Sequence, residues 1–153
     1  MRTESKVMNF EDNRLGRKIT NTKTVENYIH SATDTRLRRK RFHVREGGFV
    51  ALSPYREKVG QIVDINLEGL SFVYILREDK PINSKNLEIF FLDNRFYLDQ
   101  IPFRIVYEYR MDRQGLPGCF QMRRCGIAFG HLSAYHRHNL EHFIENFSFE
   151  PKK

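Results

Sequence analysis

The chain has 153 residues, 40% of them hydrophobic and 13% aromatic, which is enough for one domain with a buried core and too few for two comfortable ones. No window approaches the roughly 18 uninterrupted apolar residues of a membrane span, and the first thirty residues lack the apolar centre of a signal peptide, so we expect no membrane insertion and a cytoplasmic location. The net charge of +7 is concentrated in residues 36–45, which carry six basic side chains and no acid; the rest of the chain holds 20 of the 26 basic side chains against all 19 acidic ones.

Residues 1–35 are polar, rich in Thr, Asn and charged side chains, and show no periodic apolar pattern. Such a segment cannot bury a continuous apolar face, so we predict a flexible tail. Deleting it should leave the thermal midpoint of unfolding almost unchanged, as measured by calorimetry. A large fall of the midpoint would show that the segment packs as part of the domain.

Residues 36–48 form a predicted basic arm, in which RLRRKRFHVR is followed by Gly47 and Gly48 as a flexible connection. A duplex-binding domain usually spreads Lys and Arg along a face, whereas a short Arg-rich segment suits a compact anion. The reason is that each guanidinium can donate two parallel hydrogen bonds to a phosphate or to the O6 and N7 atoms of guanine. The simpler alternative is a solvated basic linker.

Residues 49–130 consist of short apolar or alternating runs separated by turn residues, which indicates antiparallel strands in a barrel or sandwich. No helical period interrupts the runs, and this argues against a parallel α/β sheet. The predicted strands are Phe49–Leu52, Val59–Ile65, Leu70–Leu76, Leu87–Leu92, Phe96–Leu98, Phe103–Tyr109 and Cys125–Phe129.

The stretch DINLEGLSF, residues 64–72, separates two of these strands. Asp64 and Asn66 can hydrogen-bond the backbone two residues on, and Gly69 tolerates a positive φ, so the simplest interpretation is an ordinary hairpin turn. A carboxylate and an amide at the end of a strand can also meet a ligand, and the pattern alone leaves both interpretations open.

A single amphipathic helix is predicted near the C-terminus, over residues 134–146, with Ser133 as its N-cap. The helix should close over the sheet because its apolar side chains recur at i, i+3, i+4 and i+7, namely Leu140, Phe143, Ile144 and Phe147. Residues 148–153 are predicted to be a short tail.

The sequence contains no recognisable catalytic or metal-binding set. His138 and His142 lie four residues apart on a polar helix face but lack a third ligand nearby, and His136 is predicted at the edge of the core. Cys119 and Cys125 form neither a CxxC motif nor part of a Cys/His set, which indicates reduced structural thiols. We therefore expect no enzyme and no metal.

The order of these features resembles a PilZ domain. Arg41 and Arg45, four residues apart, are followed about twenty residues later by Asp64-Ile-Asn66-Leu-Glu-Gly69, and the family pattern is RxxxR followed by [D/N]xSxxG. The resemblance implies a six-stranded antiparallel β-barrel with a C-terminal helix, and its second half is similar to single-domain PilZ proteins of uncharacterised role. It covers about residues 36–147, divided into the arm at 36–48, the barrel at 49–130 and the helix at 133–147.

The resemblance also implies a ligand, the bacterial second messenger cyclic di-GMP, bound between arm and turn without any cofactor. The arginines would bind phosphate and guanine O6/N7, Asp64 would accept from guanine N1–H and N2–H, Asn66 would add a hydrogen bond, and Gly69 would let the backbone approach the ligand closely. A loose arm closing over the ligand would then signal to a downstream protein. The implied binding residues are Arg38, Arg39, Arg41, Arg45, Asp64, Asn66 and Gly69.

Two departures from the family pattern leave alternatives open. Position 66 is Asn where the pattern has Ser, and Val44 stands where many members carry the second arginine. A pairing that starts at Arg38 would need an arginine at Phe42. The alternatives are a degenerate PilZ adaptor that binds only proteins, and a basic single-strand nucleic-acid binder; we expect DNA or RNA binding least.

Overall fold

A computed structural model gives the fold of the protein and describes residues 35–78, 80–111 and 121–152. Residues Leu37–Lys153 form one compact unit, and of residues 1–36 the structure describes Thr35 and Arg36. The predicted tail therefore lies outside the described residues up to position 34.

The compact unit is mainly β. Its strands are β1 (Phe42–Val44), β2 (Gly48–Ser53), β3 (Val59–Asn66), β4 (Gly69–Leu76), β5 (Asn86–Phe91), β6 (Phe96–Met111), β7 (Gln121–Phe129) and β8 (Ser148–Phe149). A short 3₁₀ turn, Leu92–Asn94, connects β5 to β6. The C-terminal helix is Ala134–Phe147.

Six of the strands close into a barrel. The order is β2-β5-β6-β7-β4-β3, and β3 pairs again with β2, each pair being antiparallel. The predicted six-stranded antiparallel barrel with a C-terminal helix is confirmed. One edge of β3 pairs with β4, and the other edge is shared by two strands, because β2 pairs with its first half and β1 with its second half.

The longest strand joins two runs that the sequence analysis separated. Phe96–Leu98 and Phe103–Tyr109 lie on the single sixteen-residue strand β6. Gln100 adopts a positive φ of 56°, which bends the strand without ending it, and Pro102 remains in register opposite Asn86 of β5. Turn-forming residues between the two runs therefore mark a bend rather than a loop.

The helix closes one side of the barrel, as its apolar period predicts. Its four buried side chains are Leu140, Phe143, Ile144 and Phe147. The predicted N-cap is confirmed, because the Ser133 hydroxyl accepts a hydrogen bond from the backbone N–H of His136 at 3.1 Å.

The first two residues of the predicted C-terminal tail, Ser148 and Phe149, form strand β8 against β1. They pair there because β1 would otherwise leave the backbone groups of one edge unpaired. Across the described ranges, no helix combines the length and the apolar character needed to cross a bilayer.

Candidate ligand-binding site

The basic segment, residues 36–45, is docked on the barrel from Leu37 onward. Leu37 is fully buried, and its carbonyl accepts a hydrogen bond from the backbone N–H of Leu67 at 2.9 Å. Further along, Phe42 and Val44 are buried and lie in β1, paired with β3 or β8. The structure thus differs from the expected loose arm, because three apolar side chains among the arginines anchor the segment in the core.

A β-bulge in β3 turns Asp64 outward. Ile62 pairs with Phe72 of β4, and Asp64 pairs with Ser71, the residue that directly precedes Phe72. Two steps along β3 therefore match one step along β4, and Val63 is the extra residue of the bulge. Without it, Asp64 would share the inward face of Ile62, which is buried. The bulge therefore places a carboxylate on the outer surface of the barrel.

Two guanidinium groups hold that carboxylate. Arg41 Nε donates to Asp64 Oδ1 at 2.7 Å, and Arg124 Nη2 donates to Asp64 Oδ2 at 3.0 Å. The same Arg124 nitrogen lies 3.0 Å from the hydroxyl oxygen of Ser71. The Asp64 side chain is 15% exposed and that of Arg41 45%, so the carboxylate is the more enclosed partner. Positive and negative groups of one site are thus assembled from β3, β4, β7 and the residue before β1.

The two arginines of the RxxxR pattern lie on one face. Exposed positions 41, 43 and 45 alternate with buried Phe42 and Val44, as expected of an extended chain. The Cα atoms of Arg41 and Arg45 are therefore about 13 Å apart along the strand direction, at about 3.3 Å per residue. The described polar contacts of the Asp64 carboxylate go to Arg41 and Arg124, whereas Arg39 and Arg45 point into solvent.

Asn66 organises the hairpin turn and fastens the basic segment to it. Its side-chain oxygen accepts from the backbone N–H groups of Glu68 at 2.9 Å and Gly69 at 3.0 Å. Its amide nitrogen donates to the carbonyl oxygen of Arg38 at 2.7 Å. With the residue only 5% exposed, the amide serves the fold, and its direct role toward a ligand stays a prediction.

Gly69 is needed for a close approach between strands. Its φ is not in the positive range, so the turn does not use the conformational freedom of glycine. A Cβ at this position would instead overlap the carbonyl oxygen of Ile127 on β7. The observed close approach is to backbone, and an approach to a ligand stays a prediction.

Arg124 was missed by the sequence analysis although it contacts Asp64. It lies on β7, sixty positions after Asp64, and only the β4–β7 register brings the two together. Its buried Nε atom has no hydrogen-bond partner among the described residues, so this guanidinium retains an unused donor. A pair of arginines inside a strand-like run, MRRCGIAF, was the available signal.

The sequence analysis also singled out histidines and cysteines as possible metal ligands or thiols. The described residues contain no cluster of three or more His, Cys, Asp and Glu side chains able to hold a metal. His136, half-buried as predicted, lies with Nε2 at 3.0 Å from the carbonyl oxygen of Asp99. Burial raises the pKa of the Cys125 thiol to about 12, which suits an inert structural thiol, whereas Cys119 lies outside the described residues.

A cavity of about 810 Å³ opens at the other end of β3 and β4. It is bordered by Lys58 and Tyr74, and Lys58 donates to the backbone carbonyl of Glu78 at 3.2 Å. None of the residues around Asp64 contributes to its walls. The Asp64 site is therefore an open surface on the sheet, separate from this cavity.

Comparison with known proteins gives no match for this chain among family models, curated proteins or solved structures. The contacts around Asp64 and their chemistry are therefore the basis for proposing a function.

Proposed function

We propose that this chain is a cytoplasmic, non-catalytic receptor of the PilZ type that binds cyclic di-GMP on the outer surface of the barrel. The observation that carries the proposal is the Asp64 carboxylate held between the guanidinium groups of Arg41 and Arg124. A carboxylate acceptor complements the N1–H and N2–H donors of guanine, and guanidinium donors complement phosphate oxygens and guanine O6/N7. Both kinds of group occur here within hydrogen-bonding distance of each other.

Arg41 is the group that exchanges partners when the ligand binds. Its side chain is 45% exposed and its ion pair faces solvent on one side, so swinging toward a phosphate exchanges one charge-assisted hydrogen bond for another. Arg124 is 26% exposed and also contacts Ser71, so it keeps Asp64 oriented during the exchange.

The conformational response is confined to short parts of the basic segment. Leu37, Phe42 and Val44 are buried, so the backbone there stays docked while the side chains of Arg38, Arg39, Arg41 and Arg45 rearrange. Because β1 also pairs with β8, a change at Arg41 alters the surface beside the C-terminal helix, where a downstream protein would read it.

A degenerate adaptor that binds proteins but no dinucleotide is the second candidate. The observation that favours it is that the polar groups already satisfy one another: Asp64 is engaged by two arginines, and Asn66 is engaged by the turn. A ligand would have to compete with these contacts.

Calorimetric titration with cyclic di-GMP tests the proposal. Arg41→Ala, Asp64→Ala and Arg124→Ala should each weaken binding by on the order of 1.5–3 kcal/mol, or roughly ten- to hundredfold, because each removes a charge-assisted hydrogen-bonding group. Arg45→Ala tests the register: a loss equal to that of Arg41→Ala supports the 41/45 pair. A larger loss of affinity in Arg38→Ala or Arg39→Ala would indicate that the ligand-binding arginine pair lies upstream of Arg41.

The matched control is Arg77→Ala, an exposed arginine just beyond the far end of β4, which should leave affinity unchanged. No saturable heat at high micromolar dinucleotide, obtained on folded protein, would contradict the receptor and favour the adaptor. A basic single-strand nucleic-acid binder would behave differently. Its affinity for single-stranded nucleic acid should rise in Asp64→Ala and fall steeply with salt.

A further inference from the structure

Two tyrosines on the outer face of β6 have large exposed rings. Tyr107 is 43% and Tyr109 51% exposed, and their ring planes lie 21° apart with centroids separated by 5.9 Å. Exposed, nearly parallel aromatic rings on a sheet are the arrangement on which nucleic acid bases stack in single-strand-binding proteins.

The tyrosines border the proposed ligand site. Strand pairing places Asp64 opposite Ser71, Ser71 opposite Gly126 and Gly126 opposite Tyr107, so these four residues form one row across β3, β4, β7 and β6. Tyr107 is therefore about 14 Å from Asp64 along the surface, at about 4.8 Å per strand. In the neighbouring row, Tyr109 stands opposite Arg124.

A second β-bulge turns these rings outward. Ile105 pairs with Ile127 and Tyr107 pairs with Gly126, so Val106 is the extra residue. Without the bulge, Tyr107 would stand opposite the buried Cys125, on the inward face of β7. The bulge in β3 exposes the carboxylate and the bulge in β6 exposes the rings, on the same side of the sheet.

The Tyr107 ring is also held in position. Gly126 has no side chain, and a Cβ there would overlap the ring, so the tyrosine lies directly over the glycine backbone. A ring fixed before binding loses little conformational entropy when a ligand stacks on it. The structural alternative is that the tyrosine only covers the exposed backbone of Gly126.

We propose that Tyr107 and Tyr109 are a stacking platform for a purine base of the ligand that Arg41, Asp64 and Arg124 bind. This inference rests on the proposed function and adds that the site selects a planar aromatic ring as well as an anion. Arg124, on the strand next to both tyrosines, keeps its hydrogen bond to Asp64, while Asp64 binds a guanine edge, Arg41 binds a phosphate and a base lies on the rings.

The test compares tyrosine variants of the full chain with cyclic di-GMP and, separately, with guanosine monophosphate as the probe. Tyr109→Ala should weaken cyclic di-GMP binding roughly five- to 150-fold, the range found when an aromatic ring under a base is removed. Tyr107→Phe keeps the ring and should bind within about twofold of the parent protein. Tyr55→Ala removes an 87% exposed tyrosine from a turn elsewhere and serves as the control with unchanged affinity.

Tyrosine fluorescence gives an independent readout, because the chain contains no tryptophan. Quenching by either nucleotide should be reduced in Tyr109→Ala and retained in Tyr55→Ala. Binding of cyclic di-GMP that depends on Arg41 but stays within twofold in Tyr109→Ala would overturn the platform and leave the receptor standing. Quenching by guanosine monophosphate that requires Tyr109, without any cyclic di-GMP binding, would support the platform and overturn the receptor; the absence of both effects would overturn both.

Discussion

Replacing Gly69 with alanine is expected to destabilise the barrel by about 3 kcal/mol, the upper part of the range for inserting a methyl group into a tightly packed site. The methyl group would overlap the carbonyl oxygen of Ile127, and a backbone atom cannot move aside as a flexible side chain can. Strands β4 and β7 would have to separate where Gly69 stands opposite Ala128. Urea unfolding should show a lower midpoint with an unchanged slope, and the thermal midpoint should fall by roughly 10 °C.

The adjacent substitution Glu68→Ala is the matched control, because Glu68 is exposed and its backbone carbonyl still accepts from Phe129 N–H at 2.8 Å. It should change stability by about 0.5 kcal/mol or less. If Gly69→Ala is equally mild, the strands are not as close as described, and the glycine is available for contact with a ligand.

Leu37→Ala should cost about 2–5 kcal/mol of stability, the range for removing a fully buried leucine side chain. Leu37 is 0% exposed although it stands among arginines, and its carbonyl is bonded to Leu67 N–H. Losing this anchor should also loosen the neighbouring Arg38 carbonyl from Asn66. Denaturant unfolding measures the loss of stability.

Leu92→Ala provides the comparison, since this leucine is 51% exposed in the 3₁₀ turn and should contribute little. Equal, small effects of both substitutions would mean that the basic segment folds independently of the core. That result would restore the loose arm expected from the sequence.

Periodicity and turn chemistry carry most information about the fold. Alternating runs between turn residues predicted antiparallel strands in a barrel or sandwich, and the period from Leu140 to Phe147 predicted the helix, because both patterns reflect burial on one face. The choice of a six-stranded barrel came from the resemblance to PilZ domains. The bend at Gln100 was not predictable in the same way, since a positive φ at a non-glycine residue is imposed by the surrounding sheet.

The sequence predicted only part of the candidate site. Asp64 and Arg41 follow from the motif, but their exposure depends on the bulge at Val63, and a bulge shifts the register by one residue without a clear trace in the sequence. Arg124 and the tyrosines enter through pairing between strands far apart in the chain. A single sequence gives no direct measure of such register.

In the basic segment, the high density of positive charge drew attention away from three apolar residues. Its six positive charges predicted a loose basic arm, with a solvated linker as the alternative, whereas the leucine, phenylalanine and valine at positions 37, 42 and 44 determine where the backbone lies. Burying three such side chains stabilises by several kcal/mol, while exposed charges cost little wherever they face solvent.

The closure of the sheet limits how another protein can attach to it. Six strands pair in a ring, and among the described residues the sheet continues beyond β3 through the three residues of β1 and the two residues of β8. A partner that adds its own strand needs a longer run of unpaired backbone than two residues provide, so β-augmentation and strand-to-strand aggregation both lack a template at this edge. At this edge, the downstream protein of the proposed function would therefore contact side chains rather than backbone, so its binding would depend on where the nearby arginines point.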